Sequence, residues 1–473
     1  MTRSEPTALS QEYDLVVIGG GPGGYTAAIR ARQLGLRCAL IEKEELGGVC
    51  LNWGCIPTKA LLHAAEAKHL VESLASLGLV AGEVTVDIAK LVKRSRQVAG
   101  RLVKGVGSLM RKHGVDVIRG TARLGGGGSV VVASDGDTVT LKAANIILAS
   151  GARARQLPGL APDGHSILTY REAMMPDTLP ASLLVVGAGA IGIEFASFYA
   201  DLGTEVTVVE MADRILPQED AEISQLAREA FEKRGIRIHT AAKVGQVGLD
   251  GATRTAVIDL GDGQESPISV ERILVAVGIT GNVEDLGLEK TAVAVERGHV
   301  IVDELLATAE PGIYAIGDLV GPPWLAHKAS HEAVICVEHI AGGEAPRPLD
   351  VTKVPACTYS RPQVASVGLT EDAARNSGLT IRVGRFPFQA NGKALAIDER
   401  RGLVKTVIDD ATGEILGAHM LGAGVTELIH GVAVARSLEA IDLDWIETVF
   451  PHPTLSEMMH ESVLDAAGRA LNI

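Results

Sequence analysis

The sequence predicts an α/β protein holding two nested copies of one parallel-sheet unit, followed by a smaller α+β region. Two observations predict it. The first is an internal duplication. Residues 15–43 read LVVIGGGPGGYTAAIRARQLGLRCALIEK and residues 183–211 read LLVVGAGAIGIEFASFYADLGTEVTVVEM. Each copy has an apolar run, G-x-G-x-x-G, a helical stretch ending in Leu-Gly, a second apolar run and a Glu. Gly19, Gly21, Gly24, Gly35 and Glu42 recur at Gly187, Gly189, Gly192, Gly203 and Glu210, an offset of 168 residues at every landmark. The second observation is composition. The 473 residues include 54 Gly but only 3% aromatics, which suits tight strand-to-helix turns more than a β-sandwich.

Length and charge set further bounds. At 473 residues the chain is long enough for about three domains, each with its own core. With 47% hydrophobic and 22% charged residues it is globular rather than disordered. A net charge of −14 argues against nucleic acid as a partner, since phosphates call for clustered Lys and Arg. The five Cys, at 38, 50, 55, 336 and 357, are too few and too scattered for a disulfide framework. The first residues, MTRSEPTALSQEYD, hold no apolar signal segment. The uncharged stretches Leu15–Ile29 and Thr178–Ile193 are shorter than the about 20 residues of a membrane span and are broken by Gly. A soluble, cytoplasmic protein without membrane or nucleic-acid partners is expected.

Each copy reads as the βαβ opening of a dinucleotide-binding fold. The first Gly allows the tight turn, the second leaves room for a pyrophosphate, and the third lets helix and strand pack closely. The helix N-terminus then presents free N–H groups to the phosphates. Glu42 and Glu210 each fall 18 residues after the last Gly, at the end of the second strand. A carboxylate there accepts hydrogen bonds from ribose hydroxyls and repels a 2′-phosphate. One G-x-G-x-x-G alone could be an ordinary turn; two copies in register with strand, helix and acid point to nucleotides. A third segment, TAEPGIYAIGD at 308–318, reads as a short strand ending in Gly317 and Asp318, where ligands meet a doubly wound sheet.

Between the first Glu and the next helix lies GGVCLNWGCIPTK, residues 47–59. Its Gly and Pro57 suggest an irregular turn entering a helix near Thr58, with Cys55 close to a helix N-terminus that would favour its thiolate. A close cysteine pair is metal-binding, redox-active or incidental. No second C-x-x-C or His pair lies nearby to complete four zinc ligands, which favours redox chemistry.

At this point the chain resembles the class I pyridine nucleotide–disulfide oxidoreductases along nearly its whole length. The shared order is the first glycine motif, CLNWGC, Ala149-Ser150-Gly151, the second glycine motif, YAIGD and a C-terminal HPTLSE at 452–457. The resemblance implies FAD at Gly19, Gly21, Gly24 and Glu42, with Lys59, Ala122, Ser150, Gly151, Asp318, Ala326 and His327 also in contact. It implies NAD at Gly187, Gly189, Gly192 and Glu210, with Val244 and Gly278. Cys50 and Cys55 would form the redox disulfide, His452 the base and Glu457 its orienting acid. Lys59 and Glu194 match the family's ion pair beside the flavin. Domains are expected at 1–152 for FAD, completed by a central segment 281–348, at 153–280 for NAD, and at 349–473 for dimerisation.

The substrate follows by exclusion within the family. No Cys follows Cys357, so the C-terminal thiol pair of mercuric and large thioredoxin reductases is missing. Glu210-Met211 stands where NADPH-dependent glutathione and trypanothione reductases carry basic residues. Dihydrolipoamide with NAD remains. The implied partners are a second copy of the chain and a lipoyl-bearing acyltransferase of a 2-oxo acid dehydrogenase complex or a glycine-cleavage carrier. Another NAD-linked disulfide reductase, a diaphorase, or a structural subunit of an acyltransferase core are the competing readings. Two departures stand out: Phe450 replaces a further His, and VAVGITGN at 275–282 lacks the usual Arg-Pro.

Overall fold

The computed structural model describes residues 11–134, 136–250, 253–261, 263–343 and 346–473. Two compact units emerge, one of Met1–Ala60, Lys93–Arg155 and Ile279–Leu349, the other of Leu61–Val92, Gln156–Gly278 and Asp350–Ile473.

The first unit grows around β1 (Gln11–Ile18), whose Leu15, Val16, Val17 and Ile18 are buried on both faces of a sheet. Such continuous apolar runs belong to parallel strands covered on two sides. Helix α1 (Pro22–Gln33) leads to β2 (Cys38–Glu42), parallel to β1. Helices α2 (Gly48–Trp53), α3 (Cys55–Ser73) and α4 (Ile88–His113) follow, then β3 (Asp116–Arg119), parallel to β2. Strands β4 (Thr121–Gly126) and β5 (Ser129–Ser134) form an antiparallel ribbon feeding β6 (Asp137–Leu148), which lies parallel to β1. Ala27, Ala28 and Ala31 put only methyl groups between α1 and the sheet, so the helix sits close to it.

After β6 the chain re-enters the second unit, to which Leu61–Val92, with most of α3 and the start of α4, already belong. Strands β7 (Ile167–Leu168), β8 (Ser182–Val186) and β9 (Glu205–Val209) come first, with helix α5 (Ala190–Asp201) between β8 and β9. Helix α6 (Ala221–Lys233) leads to β10 (Arg237–His239). An antiparallel trio β11 (Lys243–Asp250), β12 (Thr253–Asp259) and β13 (Glu265–Val270) precedes β14 (Arg272–Val275). The parallel sheet runs β10-β9-β8-β14-β7.

Strand β15 (Ile313–Ala315) returns to the first unit, pairing in parallel with the end of β6, and α7 (Ala326–Ala341) packs on α1. The C-terminal region, again in the second unit, is an antiparallel sheet β16-β17-β20-β19-β18. Its strands are β16 (Ala356–Thr358), β17 (Gln363–Gly368), β18 (Ile381–Pro387), β19 (Leu403–Asp409) and β20 (Ile415–Gly422). Helix α8 (Val425–Ser437) covers β17 and β20, and α9 (Glu457–Ala466) covers β18 and β19. The expected α/β class with two dinucleotide units and an α+β end is what the chain adopts. Among the described residues no helix is long and apolar enough to cross a membrane.

Candidate redox site and nucleotide cradles

The duplication persists in atomic detail. Gly19 and Gly187 adopt φ of 110° and 101°, a left-handed turn that side chains resist. A Cβ on Gly24 would stand 1.8 Å from the Gly19 carbonyl oxygen, and one on Gly192 2.0 Å from that of Gly187. These third glycines are therefore packing requirements. The second glycines differ: Gly189 has nothing within 4 Å of a Cβ, and Gly21 only Gly48 Cα at 3.9 Å. The space they leave faces open approach. Glu42 accepts from the Gly20 and Glu44 N–H groups, both at 2.7 Å. Glu210 accepts from Ala188 at 2.6 Å and Ala212 at 2.8 Å, the same two bonds one repeat later. Each oxygen retains a lone pair for a ribose hydroxyl. Met211, beside Glu210, is uncharged and 70% exposed.

Asp318 lies in the turn Gly317–Val320 after β15. Burial pushes its carboxyl up, Lys328 and His299 draw it down, and Glu332 raises it. Lys328 and Glu332 are buried and paired at 2.7 Å. Glu332 accepts from Gly317 N–H at 2.7 Å, and Lys328 donates to the Gly321 carbonyl at 3.2 Å. Together they brace the turn from both ends. Ala326 and His327 open α7. Ser150 Oγ donates to the Asn282 carbonyl at 2.8 Å, and the Asn282 amide returns a bond to Ser150 at 2.8 Å. Gly151 and Gly278 have positive φ, Ala122 is buried in β4, and Val244 lies near the start of β11. Open glycine turns, anchored acids and a partly buried carboxyl fit FAD in the first copy and NAD in the second.

The cysteine segment departs from expectation. Cys50 lies within helix α2, and α3 starts at Cys55 rather than near Thr58. Gly47 and Gly48 take φ of 94° and 55°, turning the chain sharply into α2. Asn52 then donates to the carbonyls of Leu46 and Gly48, both at 3.0 Å, closing the short helix. A Cβ on Gly48 would come within 2.7 Å of Gly21 Cα, so the segment lies directly on the first glycine turn. Cys50 is hydrogen bonded to Cys55; that bond and burial raise its thiol well above the ordinary range, while Lys59 pulls it down and Asp318 adds to the rise. The pair, Lys59 and Asp318 thus share one neighbourhood.

In the second unit His452 Nδ1 meets Glu457 Oε1 at 2.9 Å, and Glu457 Oε2 accepts from Thr454 N–H at 2.8 Å. Burial works to raise the Glu457 carboxyl, but the Thr454 N–H and His452 hold it below its usual value. It stays ionised at neutral pH and places the imidazole proton on Nδ1, leaving the Nε2 lone pair free to accept one. Phe450 stacks between Trp445 and His460, at ring distances of 6.0 and 5.2 Å, as an apolar support. Glu194 is buried in α5 and accepts from Tyr359 N–H at 2.9 Å. Sequence reasoning missed Asn52, Lys328 and Glu332; only the i, i+4 spacing of Lys328 and Glu332 was a usable signal.

Residues 13–333 match the family described as pyridine nucleotide-disulphide oxidoreductase, and residues 354–463 match its dimerisation domain. A dihydrolipoyl dehydrogenase of Rhizobium etli is 52% identical, covering 98% of this chain and 100% of that protein. That of Bacillus subtilis is 45% identical, with coverage of 98% and 100%. The crystal structure of LpdA from Mycobacterium tuberculosis superposes with a TM-score of 0.88 at 29% identity, covering 96% of this chain and 99% of that one. The flavoprotein disulfide reductase RclA of Escherichia coli, in a Cu(II) complex, gives 0.85 at 28%, with coverage of 96% and 99%.

Proposed function

The chain belongs to the pyridine nucleotide-disulphide oxidoreductase family, and on that premise we infer that it oxidises dihydrolipoamide to lipoamide with FAD and NAD⁺. It is an enzyme of the dihydrolipoyl dehydrogenase kind and a homodimer. The observation that carries the reading is the Cys50–Cys55 hydrogen bond on helices laid against the Gly21 turn.

His452 Nε2 takes a proton from one substrate thiol. The resulting thiolate attacks Cys50 Sγ, a new S–S bond forms, and the Cys50–Cys55 bond breaks with Cys55 leaving as thiolate. The second substrate thiol, deprotonated in turn, attacks the first substrate sulfur. Lipoamide departs and Cys50 takes the proton, as its raised affinity for one favours. Glu457 stabilises the imidazolium throughout. Gly19, Gly21, Gly24, Glu42 and Asp318 would hold FAD, which would supply a two-electron acceptor for the dithiol and a hydride donor to NAD⁺. Gly187, Gly189, Gly192 and Glu210 hold that nucleotide, and Glu210 disfavours a 2′-phosphate.

The boundaries 1–152, 153–280, 281–348 and 349–473 describe the working domains. In the dimer each His452 serves the disulfide of the other subunit. The electron donor is a lipoyl-bearing acyltransferase or glycine-cleavage carrier, and the enzyme acts in the cytoplasm. Stopped-flow mixing with dihydrolipoamide should produce a long-wavelength thiolate–flavin charge-transfer band. Absence of that band with active, flavin-loaded protein contradicts the assignment.

A further inference from the structure

The two cysteines stand on different helices, α2 and α3, with Gly54 the one residue between them. The sulfur–sulfur distance depends on the angle of one helix to the other across that short link. Two arginines of helix α4 supply the constraint. The Arg96 guanidinium donates to the Asn52 carbonyl in the last turn of α2. Its Cζ also lies 4.3 Å from the centre of the Trp53 ring, at the end of the same helix. Arg94 Nη1 donates at 3.3 Å to the carbonyl of Ala60, in α3. Between them Ser95 is fully buried, so the two long side chains leave α4 on either side of a packed contact. A helix C-terminus carries unpaired carbonyls and partial negative charge, which suits a guanidinium. A planar fork can accept the indole face while donating at its edge, which a lysine cannot do.

We propose that Arg96, with Arg94 beside it, is a positioning residue for the redox pair: α4 serves as a common strut that sets α2 against α3 and keeps Cys50 and Cys55 at bonding distance. It acts through the helices and touches neither substrate nor cofactor. The proposal rests on Cys50 and Cys55 being the redox pair. Its energetic content is effective concentration. Two thiols held in place close a disulfide more readily than two on a loose hinge. Loss of the clamp therefore shifts the pair toward the dithiol.

The full-length, flavin-loaded protein is prepared as Arg96→Ala, Arg96→Lys and Cys50→Ser. Three quantities are read: dihydrolipoamide-dependent NAD⁺ reduction, NADH oxidation by an artificial acceptor that bypasses the thiols, and the dithiol fraction across glutathione buffers by thiol alkylation. For Arg96→Ala the expectation is an about tenfold loss in the first and an about tenfold lower reductant requirement in the third, with the second within about twofold. Arg96→Lys should follow Arg96→Ala, since charge alone does not rebuild the stack. Thiol readouts within about twofold of wild type in both variants overturn the proposal, and so does a parallel fall of the bypass activity or loss of flavin. If Arg96→Ala does not fold, Arg96→Lys and Arg94→Gln decide by the same readings. Dihydrolipoamide turnover surviving in Cys50→Ser would instead reject the redox-pair reading, separately from Arg96.

Discussion

Glu210 keeps both carboxylate oxygens tied to backbone N–H groups, of Ala188 and Ala212, so it cannot swing away from a ligand at the second glycine turn. A fixed anion beside a 2′-phosphate is costly, and Met211 offers no compensating charge. Glu210→Ala combined with Met211→Arg should therefore move kcat/KM toward NADP, by about ten- to a hundredfold in the ratio. Comparable kcat/KM for NAD and NADP in the unmodified enzyme would contradict the role given to this carboxylate. Such residue-scale features were legible because both acids occupy one register in a visible repeat. The helix around Cys50 was not. Gly-rich, Asn-containing segments favour turns on propensity alone, and α2 exists because Asn52 closes it and Gly48 seats it on Gly21.

At the scale of elements, the three glycines of a motif have separable duties. A methyl on Gly192 collides with the Gly187 carbonyl 2.0 Å away, whereas one on Gly189 enters open space. Gly192→Ala should lower stability by about 1–3 kcal/mol, seen as a reduced Tm. Gly189→Ala should leave Tm unchanged while weakening NAD binding, measured by titration of nucleotide into flavin-loaded enzyme. A Tm loss in Gly189→Ala, or undiminished NAD affinity there, would break that division of labour. A second element-scale feature joins α6 to the C-terminal sheet inside the second unit. Buried Lys405 pairs with Asp220 at 2.8 Å, Glu371 at 2.9 Å and Glu222 at 3.0 Å. Next to Asp220, burial pushes the Glu219 carboxyl up from 4.5 to about 7, against a hydrogen bond with Ser366 that lowers it. An acid raised in the fold stabilises nothing at high pH. Its penalty is absent below 4.5, grows as pH rises toward 7, and is constant above. Glu219→Gln should flatten the fall in unfolding free energy across that window, recovering roughly 3 kcal/mol at neutral pH. Parallel stability–pH curves for wild type and variant would refute it.

For the whole molecule, the sharpest test is whether one subunit completes the other's site. An inactive His452→Gln chain co-expressed with an inactive Cys50→Ser chain makes about half the dimers mixed, each with one site holding both native residues. Roughly a quarter of wild-type dihydrolipoamide activity should return. Activity no higher than that of the single variants, in dimers shown by mass to be mixed, would place the base and the disulfide in the same subunit's site.

Sequence alone determined the features whose signal is local: the two βαβ copies, their anchored acids, the C-x4-C pair, the YAIGD turn and the His452-Pro-Thr-Leu-Ser-Glu457 segment. In each, the residues that cooperate lie within one turn, one strand–helix unit or one fixed spacing, so chain connectivity imposes the geometry. Tertiary structure alone decided what stands behind them. Arg96 reaches Asn52 across 44 residues, and Lys405 reaches Asp220 across 185. The Lys328–Glu332 pair acquires its purpose only once α7 is packed beneath the Asp318 turn. Contacts between distant segments leave no periodicity to read, because folding, and not spacing, makes them neighbours.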